Sequence, residues 1–375
     1  MHDPQRFAVD LSAKLASRSR HVCLFLGAGA AKSCGLPGIA ELQTLVLADL
    51  NPADRDLFSQ QLNGRNLEQG LSRLRRIAAL ETETVIEGLR GARANELDKI
   101  ICQAIVKKLD IGQADIEPVL KLASWIARAD YHHPIEIFTV NYDLLIETAL
   151  DSLRVPYFDG FVGVLKAKFS TEMVENSSGA DPKSVPAFFV RLWKLHGSVN
   201  WELCEDKQIV RLGRPVSTGQ VAAIYPSDTK YEESRRVPFV VLQDRFRRAI
   251  NQSETMVLIT GYSFNDSHLN EMLFDAAARR PRSEFVALCY SDIPPIVIDR
   301  ALSTPNLQVA SPKEAILSGI RGSWKPKDDV ASSIWSNNTF SLCDFSKLSG
   351  HLGLSTGREE PVIMATPEAS TIIAG

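Results

Sequence analysis

Four short segments carry residue types that chemistry needs. The first is Leu24-Phe25-Leu26-Gly27-Ala28-Gly29-Ala30-Ala31, which runs on to Gly35-Leu36-Pro37-Gly38. A strand that ends in Gly-x-Gly and opens into a helix makes an anion site, because the glycines permit a tight turn and the helix N-terminus offers N–H groups. The pattern alone is weak, since many strand–helix turns need glycine only for backbone conformation. Lys32 stands where a dehydrogenase would have its third glycine, and no strand ending in an acidic residue lies about twenty residues on. Hydride transfer is therefore disfavoured.

The second segment, Phe138-Thr139-Val140-Asn141-Tyr142-Asp143-Leu144, closes an apolar run with Asn and Asp two apart. These side chains suit a ligand at the carboxyl edge of a sheet, and they also suit ordinary helix capping. The third, Leu192-Trp193-Lys194-Leu195-His196-Gly197-Ser198, sets a histidine at the end of a strand, where it would serve as a general base near neutral pH. His132 and His133, before Pro134, read as loop residues. The fourth, Gly261-Tyr262-Ser263-Phe264-Asn265-Asp266-Ser267-His268, again follows an apolar run. Ser263 with Asp266 fits a capping box for a helix over Ser267–Arg279, and the same turn could hold a phosphate or ribose. His268 falls inside that helix, in a structural or supporting place.

The elements that must position these groups follow from the apolar runs. Strands are expected at Val22–Leu26, Ile135–Val140, Phe189–Leu195, Met256–Thr260, Phe285–Tyr290 and Leu307–Ala310. Alternation of such runs with helical stretches predicts an α/β fold, a Rossmann-like and mainly parallel sheet. Between Glu41 and Asp130 there is no strand pattern. Leu67, Leu71, Leu74 and Ile77 recur there at helical spacing, so residues 41–130 read as an inserted helical subdomain, with Arg73, Arg75 and Arg76 on a solvated face. Lys168–Pro186 and Val216–Val237 read as loops. Residues 1–320 are expected to form the catalytic domain. Residues 321–375 form a Ser/Thr/Asn-rich tail, either disordered or an arm that orders in assembly.

The chain has 375 residues, with 42 Lys+Arg against 45 Asp+Glu. That balance gives no basic footprint for direct nucleic-acid binding. Six scattered cysteines with no CxxC pair argue against a zinc ribbon and a thioredoxin-type site. No secretory signal and no apolar run near the ~20 residues of a membrane span are visible, so a cytoplasmic protein is expected.

In their order along the chain, the four segments resemble the sirtuin family of NAD-consuming proteins. Gly27-Ala28-Gly29 with Gly35-Leu36-Pro37 resembles the family's first nucleotide loop, and Thr139-Val140-Asn141-Tyr142-Asp143 its T-x-N-x-D motif. His196-Gly197 resembles the catalytic His-Gly pair, and Gly261-Tyr262-Ser263 the Gly-x-Ser loop. The four-cysteine ribbon of protein-deacylating sirtuins has no counterpart, since only Cys204 closely follows His196. Gly38-Ile39-Ala40 replaces their Asp-Phe-Arg segment. The spelling is similar to bacterial sirtuin-like effectors of anti-phage defence, which hydrolyse NAD and starve the infected cell.

The resemblance implies an NAD glycohydrolase in which NAD is substrate and no cofactor or zinc is required. Asn141, Asp143 and His196 would be catalytic: Asn141 for water or ribose, Asp143 for the nicotinamide carboxamide, and His196 as base. Gly27, Ala28, Gly29, Ala30, Pro37, Thr139, Gly261 and Ser263 would bind the rest of NAD. A homo-oligomer and a HerA-like ATPase partner are implied, with no membrane contact. A protein deacylase and a non-catalytic nucleotide-sensing scaffold are the alternatives.

Overall fold

The computed structural model describes residues 1–80, 85–86, 88–176, 185–186, 188–217, 219–223 and 237–354. Helix α1 (Pro4–Leu15) starts at Asp3, whose side chain accepts from the Gln5 and Arg6 N–H groups. It is followed by β1 (His21–Leu26), buried at every position. The glycine turn opens α2 (Ala28–Lys32). Then come α3 (Ile39–Asp49), α4 (Pro52–Leu62), α5 (Leu67–Ala79), α6 (Gly91–Lys108) and α7 (Glu117–Arg128), before β2 (Glu136–Thr139) and α8 (Leu145–Ser152). The middle of the chain forms β3 (Tyr157–Phe158), β4 (Phe161–Val162), β5 (Lys166–Phe169), α9 (Thr171–Glu175), β6 (Val190–Lys194), β7 (Gly197–Leu203), β8 (Ile209–Leu212) and β9 (Gln220–Ala223). After these come α10 (Phe239–Ile250), β10 (Thr255–Thr260), α11 (Ser267–Arg279), β11 (Glu284–Leu288), α12 (Pro295–Ser303) and β12 (Leu307–Ala310). The last elements are β13 (Glu314–Leu317), β14 (Ile320–Ser323), β15 (Trp335–Ser336), β16 (Thr339–Phe340) and α13 (Phe345–Leu354).

The main sheet has the order β14-β13-β12-β11-β10-β1-β2-β6-β3. It is parallel from β12 through β3, and only β13 and β14 pair antiparallel. All six expected strands lie in this sheet, which confirms the Rossmann-like α/β class. Side chains alternate between its two faces, as strand geometry requires. Val22, Leu24 and Leu26 of β1 join one core with Phe7, Leu11, Trp125 and Leu348. Cys23 and Phe25 join the other with Phe246, Leu273 and Val297. Chain order runs outward from β1 through β2 and β6 on one side and from β10 through β11 and β12 on the other. The order therefore reverses between β1 and β10, the usual place for a ligand crevice.

A third core holds the helices that follow the glycine turn. Leu42, Phe58, Leu67, Leu71, Leu74, Leu97 and Ile101 pack together with Val199, Val216 and Val221. The last three come from in or beside a separate sheet of order β4-β5-β8-β7-β9, which the sequence pattern did not reveal. Apart from the seven-residue β7, its strands span two to four residues, and all but the two-residue β4 mix polar with apolar side chains, so no long apolar run betrays them. The expected loops need correction. Lys168–Pro186 contains α9, and Val216–Val237 contains β9, while residues 177–184 and 224–236 lie outside the described residues. Two of the three α5 arginines also differ from a solvated face. Arg73 donates to Gln61 and Arg75 to Asp98, each at 3.0 Å, so these two brace helix against helix, while Arg76 is exposed as expected.

The stretch after Gly322 folds back on the chain. Trp324, Phe340, Leu342, Phe345, Leu348 and Leu352 are buried in the same core as Phe7 and Leu11 of α1. Residues 355–375 lie outside the described residues. Among the described residues, no helix is long and apolar enough to cross a membrane.

Candidate functional site

Every strand-end motif falls on the carboxyl edge of the main sheet. At the first, the Gly27 N–H donates to the Thr260 carbonyl (3.0 Å) and the Gly29 N–H to the Gly261 carbonyl (2.8 Å). The glycines exist for this contact. A Cβ on Gly29 would lie 2.6 Å from Gly261 Cα, and one on Gly261, at φ +65°, would lie 2.5 Å from the Ala30 nitrogen. The turn's backbone is thus engaged in large part by its neighbouring loop.

The second motif is held to the first. Thr139 Oγ1 donates to the Leu26 carbonyl (3.0 Å) and accepts from the Asn141 N–H (3.0 Å), so this buried hydroxyl ties β1 to the turn after β2. Asn141 Nδ2 donates to the Gly27 carbonyl (3.1 Å). Asp143 is buried and accepts from the Leu145 N–H two residues on (3.0 Å), just ahead of α8, whose N-cap is Leu144. Burial pushes its carboxyl above the usual aspartate range, with the Lys194 ammonium opposing the rise. Lys194 is itself buried. Its Nζ donates to the Asp143 carbonyl, to Ser198 Oγ (2.8 Å) and to Glu147 Oε1 (2.9 Å). A charged group at this depth persists only with such partners, and it fixes the Asn141–Asp143 loop from below.

The third motif turns sharply at Gly197, φ +89°, which brings His196 back over the sheet edge. His196 is buried, and its Nε2 lies 3.4 Å from Asp266 Oδ2. Asp266 is also the N-cap of α11: its Oδ1 accepts from the His268 N–H (3.0 Å) and the Leu269 N–H (3.2 Å). The expected cap, Ser263, is exposed and plays no such part. The loop before α11 is pinned by Tyr262, whose hydroxyl is 2.9 Å from Asn270 Oδ1, and by Asn270 Nδ2 donating to the Phe264 carbonyl (2.8 Å).

These loops enclose a cavity of about 510 Å³, the size of a small-molecule site. Of the expected site residues, Ala28, Pro37, Asn141, Asp143, His196 and Ser263 line it. Gly27, Gly29, Ala30, Thr139 and Gly261 stand behind the wall and shape the backbone that carries the others. Part of the lining was not foreseen from the sequence. Asn66, Glu68 and Gln69 reach in from the start of α5, and Tyr142 bridges to them with its hydroxyl 3.4 Å from Glu68 Oε1. The Asn66-x-x-Gln69 capping box that opens α5 was the available signal. Nothing local pointed it toward this edge.

At the opposite, amino end of the strands lies a buried ion network. Glu136 accepts from Arg245 Nε (2.8 Å), from Arg245 Nη2 and from Trp193 Nε1 (2.7 Å), with His21 Nε2 at 2.8 Å. Burial would raise the Glu136 pKa, but Arg245 and His21 outweigh it and hold the carboxyl at about 2. Among the described residues, His21, Cys23 and Glu136 form the one group close enough to share a metal ion. Both Glu136 oxygens already accept hydrogen bonds, so the cluster is satisfied as an ion network.

No curated protein matches this sequence. Among solved structures, the crystal structure of a Sir2 homolog in complex with NAD is similar at 13% identity and a TM-score of 0.42, covering 83% of this chain and 90% of that one. Residues 135–310, the reach that holds Asn141, Asp143, His196 and Ser263, are similar to SIR2-like domains and match that family's model.

Proposed function

We propose that this protein hydrolyses NAD at the bond between nicotinamide and ribose. The observation that carries the reading is convergence: Asn141, Asp143 and His196, from two different strand ends, line one cavity beside the glycine turn. Among the described residues, the lining also holds the carboxylates of Glu68, Asp143 and Asp266 and no lysine or arginine. Such a wall suits a cationic pyridinium and the oxocarbenium-like charge that grows at ribose as the bond breaks. Nicotinamide departs as a neutral leaving group, so no strong general acid is needed. Water adds to the ribose C1′ and its proton passes to His196, giving nicotinamide, ADP-ribose and a proton.

Asn141, its Nδ2 engaged by the Gly27 carbonyl, presents its amide oxygen to the water or a ribose hydroxyl. Asp143 accepts from the carboxamide. Ser263 and the turn around Ala28 meet the remainder of the nucleotide. The sequence resemblance supports a cellular role in anti-phage defence by NAD depletion, controlled by homo-oligomer assembly and a HerA-like ATPase.

Nicotinamide release by the purified protein, alone and with that partner, tests the reading. Asn141→Ala and His196→Ala should each abolish release while leaving the fold intact. Full turnover in both variants would overturn it, and O-acetyl-ADP-ribose formed from an acetylated peptide would mark a deacylase instead.

A further inference from the structure

Asp266 divides its carboxylate between two tasks. One oxygen caps α11, and the other faces His196 Nε2 at 3.4 Å, with both side chains buried at the cavity wall. Capping requires a single acceptor, and serine or asparagine would supply it. The second oxygen therefore calls for its own explanation. The loop carrying Asp266 has little freedom, since Tyr262 and Asn270 tie it across the first turn of α11.

We propose that Asp266 is the positioning residue of His196. It accepts the proton-bearing Nε2, which fixes the imidazole tautomer and leaves Nδ1 as the nitrogen that takes a proton in the cavity. When Nδ1 gains the proton from the attacking water, the Asp266 carboxylate faces the resulting imidazolium and stabilises it. Asp266 itself forms no bond to substrate. The inference rests on His196 acting as base in the proposed hydrolysis. It adds a His–Asp pair assembled from the β6–β7 turn and the cap of α11.

Asp266→Asn keeps the capping oxygen and the shape but removes the charge. Nicotinamide release by this variant should fall in kcat by about 10²–10⁴-fold, the scale of losing tautomer control, with KM within about threefold. Its thermal midpoint should stay near the parent value, because asparagine also caps. Nitrogen-15 spectra of His196 should show the proton on Nε2 in the parent and its redistribution to Nδ1 in the variant. This signature needs no turnover. A parent without NADase activity that still shows it would overturn the hydrolase reading and uphold the pair. Asp266→Ser, which caps but cannot reach His196, repeats the test if the asparagine variant fails to fold. An unchanged kcat together with an unchanged His196 tautomer in either variant would overturn the proposal.

Discussion

A Cβ on Gly27 would stand 2.4 Å from the carbonyl oxygen of Gly261. The turn after β1 and the turn after β10 are therefore in direct backbone contact where the strand order reverses. The contact sets the height of Ala28 and Ser263 on the cavity wall.

The first prediction concerns this contact. Gly261→Ala adds left-handed strain at φ +65° to the clash with Ala30, and should cost about 2–4 kcal/mol. Gly27→Ala should cost a similar amount without the φ penalty. Urea unfolding measures both, and nicotinamide release should fall with them as the two turns separate. An alanine that leaves the unfolding midpoint untouched would contradict the contact.

Lys194 supports the second. Lys194→Met removes the ammonium that holds the Asp143 carbonyl and Ser198, and it leaves Glu147 without its partner. The loss should be about 3–5 kcal/mol, as for breaking a buried pair. Replacing Glu147 as well should recover part of it in a double-mutant cycle.

A pH dependence follows from Asp143. Burial raises its carboxyl above the ordinary range, so the ionised form that accepts from the carboxamide is lost on acidification earlier than for an exposed aspartate. The acid limb of kcat/KM should therefore lie above the ordinary aspartate value of 3.8. Asp143→Asn should flatten that limb and lower kcat/KM at neutral pH. An acid limb that survives in the variant would assign it to another group.

Glu136 governs a second pH effect, on stability alone. Its pKa is depressed from 4.5 to about 2, so its contribution is present above pH 4.5 and disappears as pH falls toward about 2. That contribution is on the order of 3 kcal/mol, since each pH unit between the unfolded and folded values is worth about 1.4 kcal/mol. Glu136→Gln should erase this part of the acid limb in denaturation midpoints measured between about pH 5 and 2. Arg245→Met, which removes the guanidinium and leaves the buried carboxylate with only His21 and Trp193 among the partners named, should cost about 3–5 kcal/mol at neutral pH in urea unfolding.

Much of the frame was legible in the sequence. Six apolar runs located β1, β2, β6, β10, β11 and β12, because strands buried on both faces need unbroken apolar sequence. Polar residues closing those runs, Asn141, Asp143 and His196, marked one edge of the sheet in advance, since parallel strands all end on the same side. The antiparallel sheet around Trp201 stayed hidden, as its strands interleave polar and apolar residues and carry no apolar run to distinguish them from loop. The stretch from Trp324 to Leu354 was equally opaque, because its buried positions are spaced irregularly to fit α1 rather than to a helical or strand period.

Sequence by itself determined which residues stand at the carboxyl ends of the strands, through local patterns of burial and turn. Tertiary structure alone decided their company. His196 meets Asp266 only because the β6–β7 turn and the cap of α11 lie over the same edge. Glu68 reaches the cavity only because the helices after the glycine turn share a core with the small sheet. Gly27 is glycine because another backbone passes within contact distance. Each depends on packing between segments far apart in the chain, where local propensity carries no information about the partner.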